Sequence, residues 1–221
     1  MSAGALALVW VVVVWRWEDP FTGAYTWWVQ RHLSAELTQR MQQFALPRPE
    51  HALSVAAAER EVAAAAETYR RALHDGNPIG RITIPRIGLS IVVVQGTDES
   101  SLTKGPGHYD GSALPGEHRL IYIAGHRTTY LAPFSHIDAI RAGDRVTMQL
   151  PYATFTYVVS FHRIVPADDL AVLRSSSHEV LVLQACHPRF FATHRYLVYA
   201  RPVLMTLKGG RTYKIAASAS A

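Results

Sequence analysis

The spacing of apolar residues changes character along the chain. Residues 2–15 carry no charge and are almost entirely Ala, Leu, Val and Trp. From Phe21 to Phe44 the apolar positions Leu33, Leu37, Met41 and Phe44 recur at helical spacing with Gln and Arg between them. This predicts an amphipathic helix, ended by Pro47 and Pro49. Ala52–Leu73 is rich in Ala, Glu and Arg, all strong helix formers, and predicts a second helix that serves as a spacer or leans on a domain. Asp75-Gly76-Asn77-Pro78 is a breaker cluster, and the domain boundary is read there. Beyond it the texture is that of strands: Arg81–Leu89, Ile91–Val94, Leu120–Ala124, Arg145–Leu150, Thr154–Arg163, Val180–Gln184 and Tyr196–Met205, bounded by Gly, Pro, Asp or Ser. Within Thr154–Phe161 the residues Phe155, Tyr157, Val159 and Phe161 alternate with polar or smaller neighbours, as a half-buried strand requires. So many short strands predict a mainly β domain, closed into a barrel or folded as a sandwich. Pro133–Ala142 reads as a weakly helical connection and the last ten residues as a frayed tail.

Composition narrows the class. A chain of 221 residues suits one domain with additional structure. With 49% hydrophobic residues and a net charge of +5 it is not a disordered protein. The basic residues form no stripe interleaved with aromatics, which argues against nucleic acid as a partner. A single cysteine excludes an internal disulfide framework and a Cys-rich zinc module. The uncharged start points to a membrane, although fifteen helical residues rise only ~22 Å against a hydrocarbon core of roughly 30 Å. All five tryptophans, Trp10, Trp15, Trp17, Trp27 and Trp28, lie in the first 28 residues, like an aromatic belt at the exit of a span. No basic start or small-residue cleavage site of a signal peptide accompanies them. The expectation is an uncleaved single-pass anchor over residues 1–17, shortened at its start, with a buried helix packed on the domain as the alternative. Arg16 after the span conflicts with the positive-inside rule, so orientation is not set by charge.

Cys186 is the soft nucleophile of the β region, at the end of Val180-Leu-Val-Leu-Gln-Ala-Cys. A free thiol is only a few per cent thiolate at neutral pH, so a catalytic reading needs a cationic or basic neighbour. The competing reading is a small buried core residue. His126 also follows an apolar strand, after Gly125, which permits a sharp turn or close backbone approach. Arg195 leads into the last long strand, so Cys186, His126 and Arg195 can meet at one rim. Zinc bound by Cys186, His187 and His194 lacks the usual ligand spacing. Calcium at Asp168, Asp169 and Glu179 has only scattered loop acids to support it.

Taken in order, Ala124-Gly125-His126-Arg127-Thr128, Phe134, Ile137, Gly143-Asp144, Leu183-x-x-Cys186-His187-Pro188 and Arg195, nine residues beyond the cysteine, resemble the sortase family. The Cys-His-Pro sequence, the short Cys-to-Arg interval and Ala-Gly-His-Arg-Thr-Thr-Tyr are most similar to class E. The resemblance spans Ile79 to Leu207. It implies a sortase-like eight-stranded β-barrel over residues 78–208, preceded by the anchor (1–17) and a helical stalk or linker (18–77), and followed by a C-terminal tail (209–221). It implies a cysteine transpeptidase outside the cell membrane, with Cys186 as nucleophile, His126 as general acid and base and Arg195 as electrophilic stabiliser, and with no metal or cofactor. Its partners would be secreted proteins carrying a C-terminal sorting signal of the LAxTG or LPxTG type, cleaved between Thr and Gly, and a peptidoglycan-precursor or pilin amine as acceptor. Arg127, Thr128, Tyr130, Ala185 and His187 are candidates for substrate binding. The family's usual Thr-Leu-x-Thr-Cys reads Val182-Leu-Gln-Ala-Cys186 here, so both threonines are absent. A thiol hydrolase that releases the acyl group to water and a non-catalytic peptide-binding module on the same barrel are the alternatives.

Overall fold

The computed structural model describes residues 20–45 and 54–215. Among these residues two helices come first, α1 (Pro20–Gln43) and α2 (Val55–Arg71), the latter capped by Ser54, whose Oγ accepts the Ala57 N–H at 3.2 Å. Nine strands follow: β1 (Pro78–Ile84), β2 (Leu89–Gln95), β3 (Gly107–His108), β4 (Leu120–Ala124), β5 (Arg145–Gln149), β6 (Ala153–Pro166), β7 (Val180–His187), β8 (His194–Leu207) and β9 (Thr212–Lys214). A one-turn helix, α3 (Glu99–Leu102), lies between β2 and β3, and Pro133–Ala142 holds only a short 3-10 turn at Ile137–Ala139.

The sheet order is β6-β5-β1-β2-β3-β4-β7-β8, and pairing of β6 with β8 closes it into an eight-stranded barrel. Bulges near Tyr157 and Phe161 let the long β6–β8 ribbon bend through that closure. β9 pairs with β8 outside the barrel, so part of the expected tail is a strand. Most neighbours are antiparallel, but β4 and β7 run parallel, with Leu120 opposite Val180 and Ala124 opposite Gln184. Both strands therefore end at the same rim.

Alternation sorts the side chains. Ile121, Ile123, Leu181, Leu183, Ala185, Tyr196, Val198 and Ala200 face the barrel interior with Phe155, Tyr157 and Met148. Leu120, Tyr122, Ala124, Val182 and Leu197 form a second apolar cluster on the opposite face, covered in part by Val172 and Leu173 from the β6–β7 connection.

The helices expected as a stalk are part of this body. Ala58, Val62, Ala65, Ala66 and Tyr69 of α2 are buried in the barrel's own core cluster. The Tyr69 hydroxyl lies 3.0 and 3.1 Å from the carbonyls of Pro78 and Ile79 at the start of β1. Small side chains on α2 permit this close seat, and so does Gly116 (φ 96°), where a Cβ would stand 2.5 Å from Val62. α1 buries Leu33 and Leu37 on Val92 and Val94. Its Gln30 amide accepts the Val92 N–H at 2.9 Å and donates to the Val92 and Lys104 carbonyls at 3.0 and 2.8 Å, in place of a strand along that stretch of β2. Trp27 and Trp28 are exposed on α1, whereas the expected anchor and the other tryptophans lie outside the described residues. Among the described residues no helix is long and apolar enough to cross a membrane.

Candidate active site

The parallel pairing of β4 with β7 brings the chemistry together. Ala124 is opposite Gln184 and the Gly125 N–H donates to the Gln184 carbonyl at 2.9 Å, so His126 leaves β4 level with Cys186 on β7. On the other side of β7, Cys186 is directly opposite Arg195 of antiparallel β8. Counting by twos from the outer cluster, Val182 and Leu197 lead to Cys186 and Arg195 on one face, and His126 lies two residues beyond Ala124, the last residue of β4. The three residues thus share one rim, with Cys186 and Arg195 on the same side of the sheet. Cys186 is half-buried and is not in a disulfide.

Each is held by its local backbone. The Phe134 ring packs over Gly125, where a Cβ would come within 2.6 Å of it, and the Phe134 N–H donates to the His126 carbonyl at 3.1 Å. Glycine is required there by close approach. The His126 ring lies 5.2 Å from that of Tyr130. Burial lowers the pKa of His126 and favours neutral imidazole. Arg195 donates from Nη1 to the Ala192 and His194 carbonyls at 2.8 and 3.1 Å, which ties it to the β7–β8 turn.

The substrate-binding candidates divide. Thr128 and Tyr130 lie in the partly exposed loop after His126. Ala185 is fully buried in the barrel core, because the residue before an outward Cys186 must point inward. A side chain at position 185 therefore lies inside the barrel and not on the outer face. His187, the last residue of β7, likewise follows outward Cys186 and turns to the inner side. Arg127 is buried behind the rim: it donates to Asp138 Oδ2 at 2.6 Å and to the Cys186 carbonyl at 3.3 Å, and it lies 3.0 Å from His187 Nδ1. Its guanidinium also sits over the Tyr196 ring at 5.9 Å. An arginine can only donate, so His187 Nδ1 accepts and its ring proton is on Nε2. Burial and the Arg127 charge both depress the His187 pKa. Arg127 and Ala185 are thus buried beneath the rim, out of direct reach of a bound peptide, while half-buried His187 stays at the rim tied to Arg127. The same alternation separates Cys186 from His187, which rules them out as a zinc chelate.

Sequence reasoning missed Asp138, whose single acidic side chain in Ile137-Asp-Ala gave no signal of its pairing with Arg127. Glu179, weighed for calcium, instead accepts from the Tyr157 hydroxyl at 2.6 Å and the Gly116 N–H at 2.9 Å inside the fold. Asp169 caps a 3-10 turn through the Ala171 N–H.

Comparison with known proteins agrees with this geometry. Residues 82–203 match the Sortase domain family. Sortase D of Bacillus subtilis is 34% identical over 132 residues, which is 58% of this chain and 65% of that protein, just under two thirds of its length. Sortase E of Streptomyces avermitilis is similar at 30% identity and TM-score 0.55, covering 61% of this chain and 93% of that one. Sortase C-1 of Actinomyces oris gives 27% and 0.55, with coverage of 66% and 98%. A Clostridium perfringens sortase D5, at 21% identity and TM-score 0.62, covers 79% of this chain and 98% of that one and shares the fold. A domain match over more than half of the chain, on a barrel with this strand order, means that the chain belongs to the sortase family.

Proposed function

We propose that this protein is a membrane-anchored cysteine transpeptidase that cleaves a sorting signal between Thr and Gly and joins the acyl fragment to an amine. The observation that supports the reading is the register that sets Cys186 opposite Arg195 and brings the end of β4, which leads into His126, beside Gln184 at the same rim. Cys186 Sγ attacks the threonine carbonyl carbon; a C–S bond forms and the thiol proton passes to His126. Arg195, permanently cationic and with N–H groups to spare beyond those on the turn, stabilises the oxyanion. The intermediate collapses with cleavage of the C–N bond as His126 returns the proton to the departing glycine amine. An incoming amine then attacks the thioester, loses its proton to His126 and releases the Cys186 thiolate, which regains that proton.

The donor would be a secreted protein with a C-terminal sorting signal, and the acceptor a peptidoglycan-precursor or pilin amine. Ala124-Gly-His-Arg-Thr-Thr-Tyr130 and Cys186-His-Pro188 support assignment to class E and an LAxTG signal over LPxTG, although the similar proteins also include classes C and D. The uncharged residues 2–15 support an anchor, and a secreted donor protein requires the barrel on the outer side of the membrane.

Intact-mass measurement after mixing the protein with each peptide type, without amine, tests the chemistry. Cys186 is the only thiol, so an acyl adduct has one place to form. An adduct that disappears on adding an amine, with formation of the joined peptide, is the expected result. Release to water regardless of amine would mean a thiol hydrolase. Peptide binding that survives Cys186→Ala, without cleavage by the unaltered protein, would mean a binding module.

A further inference from the structure

We propose that Thr22, on the first turns of α1, is a positioning residue for His126, acting through the loop that follows the histidine. This rests on the reading of His126 as the acid and base of the reaction. The loop from His126 to Phe134 is strained in its middle: Tyr130, Leu131 and Ala132 have φ of 51°, 63° and 39°. Left-handed backbone is unfavourable for residues with a Cβ, so three in a row persist only where surrounding contacts over-determine them. Two of those contacts are internal, Ala132 N–H to the Thr129 carbonyl and Ser135 N–H to the Ala132 carbonyl, both at 2.8 Å.

The contact from outside comes from a segment more than a hundred residues away. The Tyr130 N–H donates to Thr22 Oγ1 at 3.1 Å. Beside it Gly23 backs onto Leu131, whose Cδ2 is 3.7 Å from where a Cβ on Gly23 would stand. The Tyr130 side chain in turn is the ring that lies 5.2 Å from His126. α1 offers a fixed reference, because Gln30 is bonded to the β2 backbone, the Thr26 hydroxyl lies 3.0 Å from the Thr103 carbonyl, and Leu33 and Leu37 are buried. The barrel thus holds α1, Thr22 of α1 holds the Tyr130 backbone, and Tyr130 sets one side of the imidazole.

Thr22→Val keeps the shape and removes the acceptor, whereas Thr22→Ser keeps the acceptor. In the full chain, Thr22→Val should lower kcat for amine-dependent transpeptidation about 10-fold, with KM for the peptide changed less than about twofold. The His126 imidazole resonances in histidine-labelled protein should move with it. Thr22→Ser should restore both, and the thermal midpoint should stay near that of the unaltered protein in both variants. Unaltered kcat together with unmoved His126 resonances in Thr22→Val would overturn the proposal. If the unaltered protein turns over no peptide, it is the catalytic reading that fails. The His126 resonances then decide positioning alone, and unmoved signals overturn it.

Discussion

At the scale of single residues, the two arginines near Cys186 do different work. Arg195 sits on the outer face, opposite the cysteine, and is partly exposed. Arg195→Ala should reduce turnover by about 10²–10³-fold, the usual size of a lost oxyanion donor, with the fold intact by circular dichroism. Arg195→Lys should recover little, since an ammonium cannot reproduce the planar fork. Near-normal turnover in Arg195→Ala would remove Arg195 from the mechanism, and near-normal turnover in Arg195→Lys would show that positive charge alone suffices there. Arg127 is almost completely buried, whereas the side chain of its partner Asp138 is 52% exposed. This asymmetry predicts an order of stabilities. Asp138→Ala strands a buried cation and should cost about 3 kcal/mol, whereas Arg127→Met leaves an aspartate that water can solvate and should cost about 1–2 kcal/mol. Urea unfolding of the two variants checks the order, and its reversal would mean that the bonds to Cys186 and His187 outweigh the ion pair. His187 adds a pH dependence. Its folded pKa is lowered from the ordinary 6.5, so the folded state binds its proton less readily than the unfolded chain. The stability linked to this group is present above pH 6.5 and falls as pH drops from there towards the folded value. Nitrogen NMR of the imidazole should find the Nε2–H form at neutral pH and a titration midpoint below 6.5; a midpoint above it would remove the Arg127–Nδ1 contact.

At the scale of elements, Gly125 links the β4 end to the loop. Gly125→Ala drives a methyl into the Phe134 ring at 2.6 Å, a fully buried side chain with little room to retreat. Overpacking of this kind costs about 1–3 kcal/mol, and displacement of the His126 turn should also depress turnover. A variant of unchanged thermal midpoint and full activity would show that the loop yields freely. These strands were legible because each carries its own signal. Alternation in Thr154–Phe161 and the apolar runs Leu120–Ala124 and Val180–Gln184 declare β structure without knowledge of their partners, and the three rim residues follow from the strand ends. The pairings were not legible, and with them went the faces. Whether Ala185 or Arg127 points into the barrel depends on which side of β4 and β7 is the interior, a property of closure through β6 and β8 and not of either segment. The two-residue β3 and the short β9 are too brief to have a period at all. Thr22 is a helical threonine whose importance lies in a contact with Tyr130, and no local pattern records it.

At the scale of the whole molecule, the question is where the folding unit begins. The breaker cluster Asp75–Pro78 places the boundary there, yet α2, before it, contributes to the barrel's own core cluster. Five α2 side chains are buried in the same cluster as Ile79, Leu114, Tyr152 and Phe155, and Tyr69 is hydrogen-bonded to the first residues of β1. Arg70 adds an ion pair to Glu117 at 3.0 Å, and the Glu117 carboxylate accepts the Leu114 N–H at 2.7 Å. A chain starting at Pro78 would expose all of these partners to water at once. Burial of an apolar side chain is worth roughly 1–3 kcal/mol, so losing α2 removes an amount comparable with the whole stability of an ordinary domain. Such a chain should therefore be aggregated or bind a hydrophobic dye, while one starting at Ser54 should unfold in a single sharp transition. The second chain still lacks α1, and with it the Thr22 contact to Tyr130. It should retain the barrel while its His126 resonances differ from those of the full chain. A chain from Pro78 that unfolds as cooperatively as one from Ser54 would mean that α2 only rests on a barrel already complete.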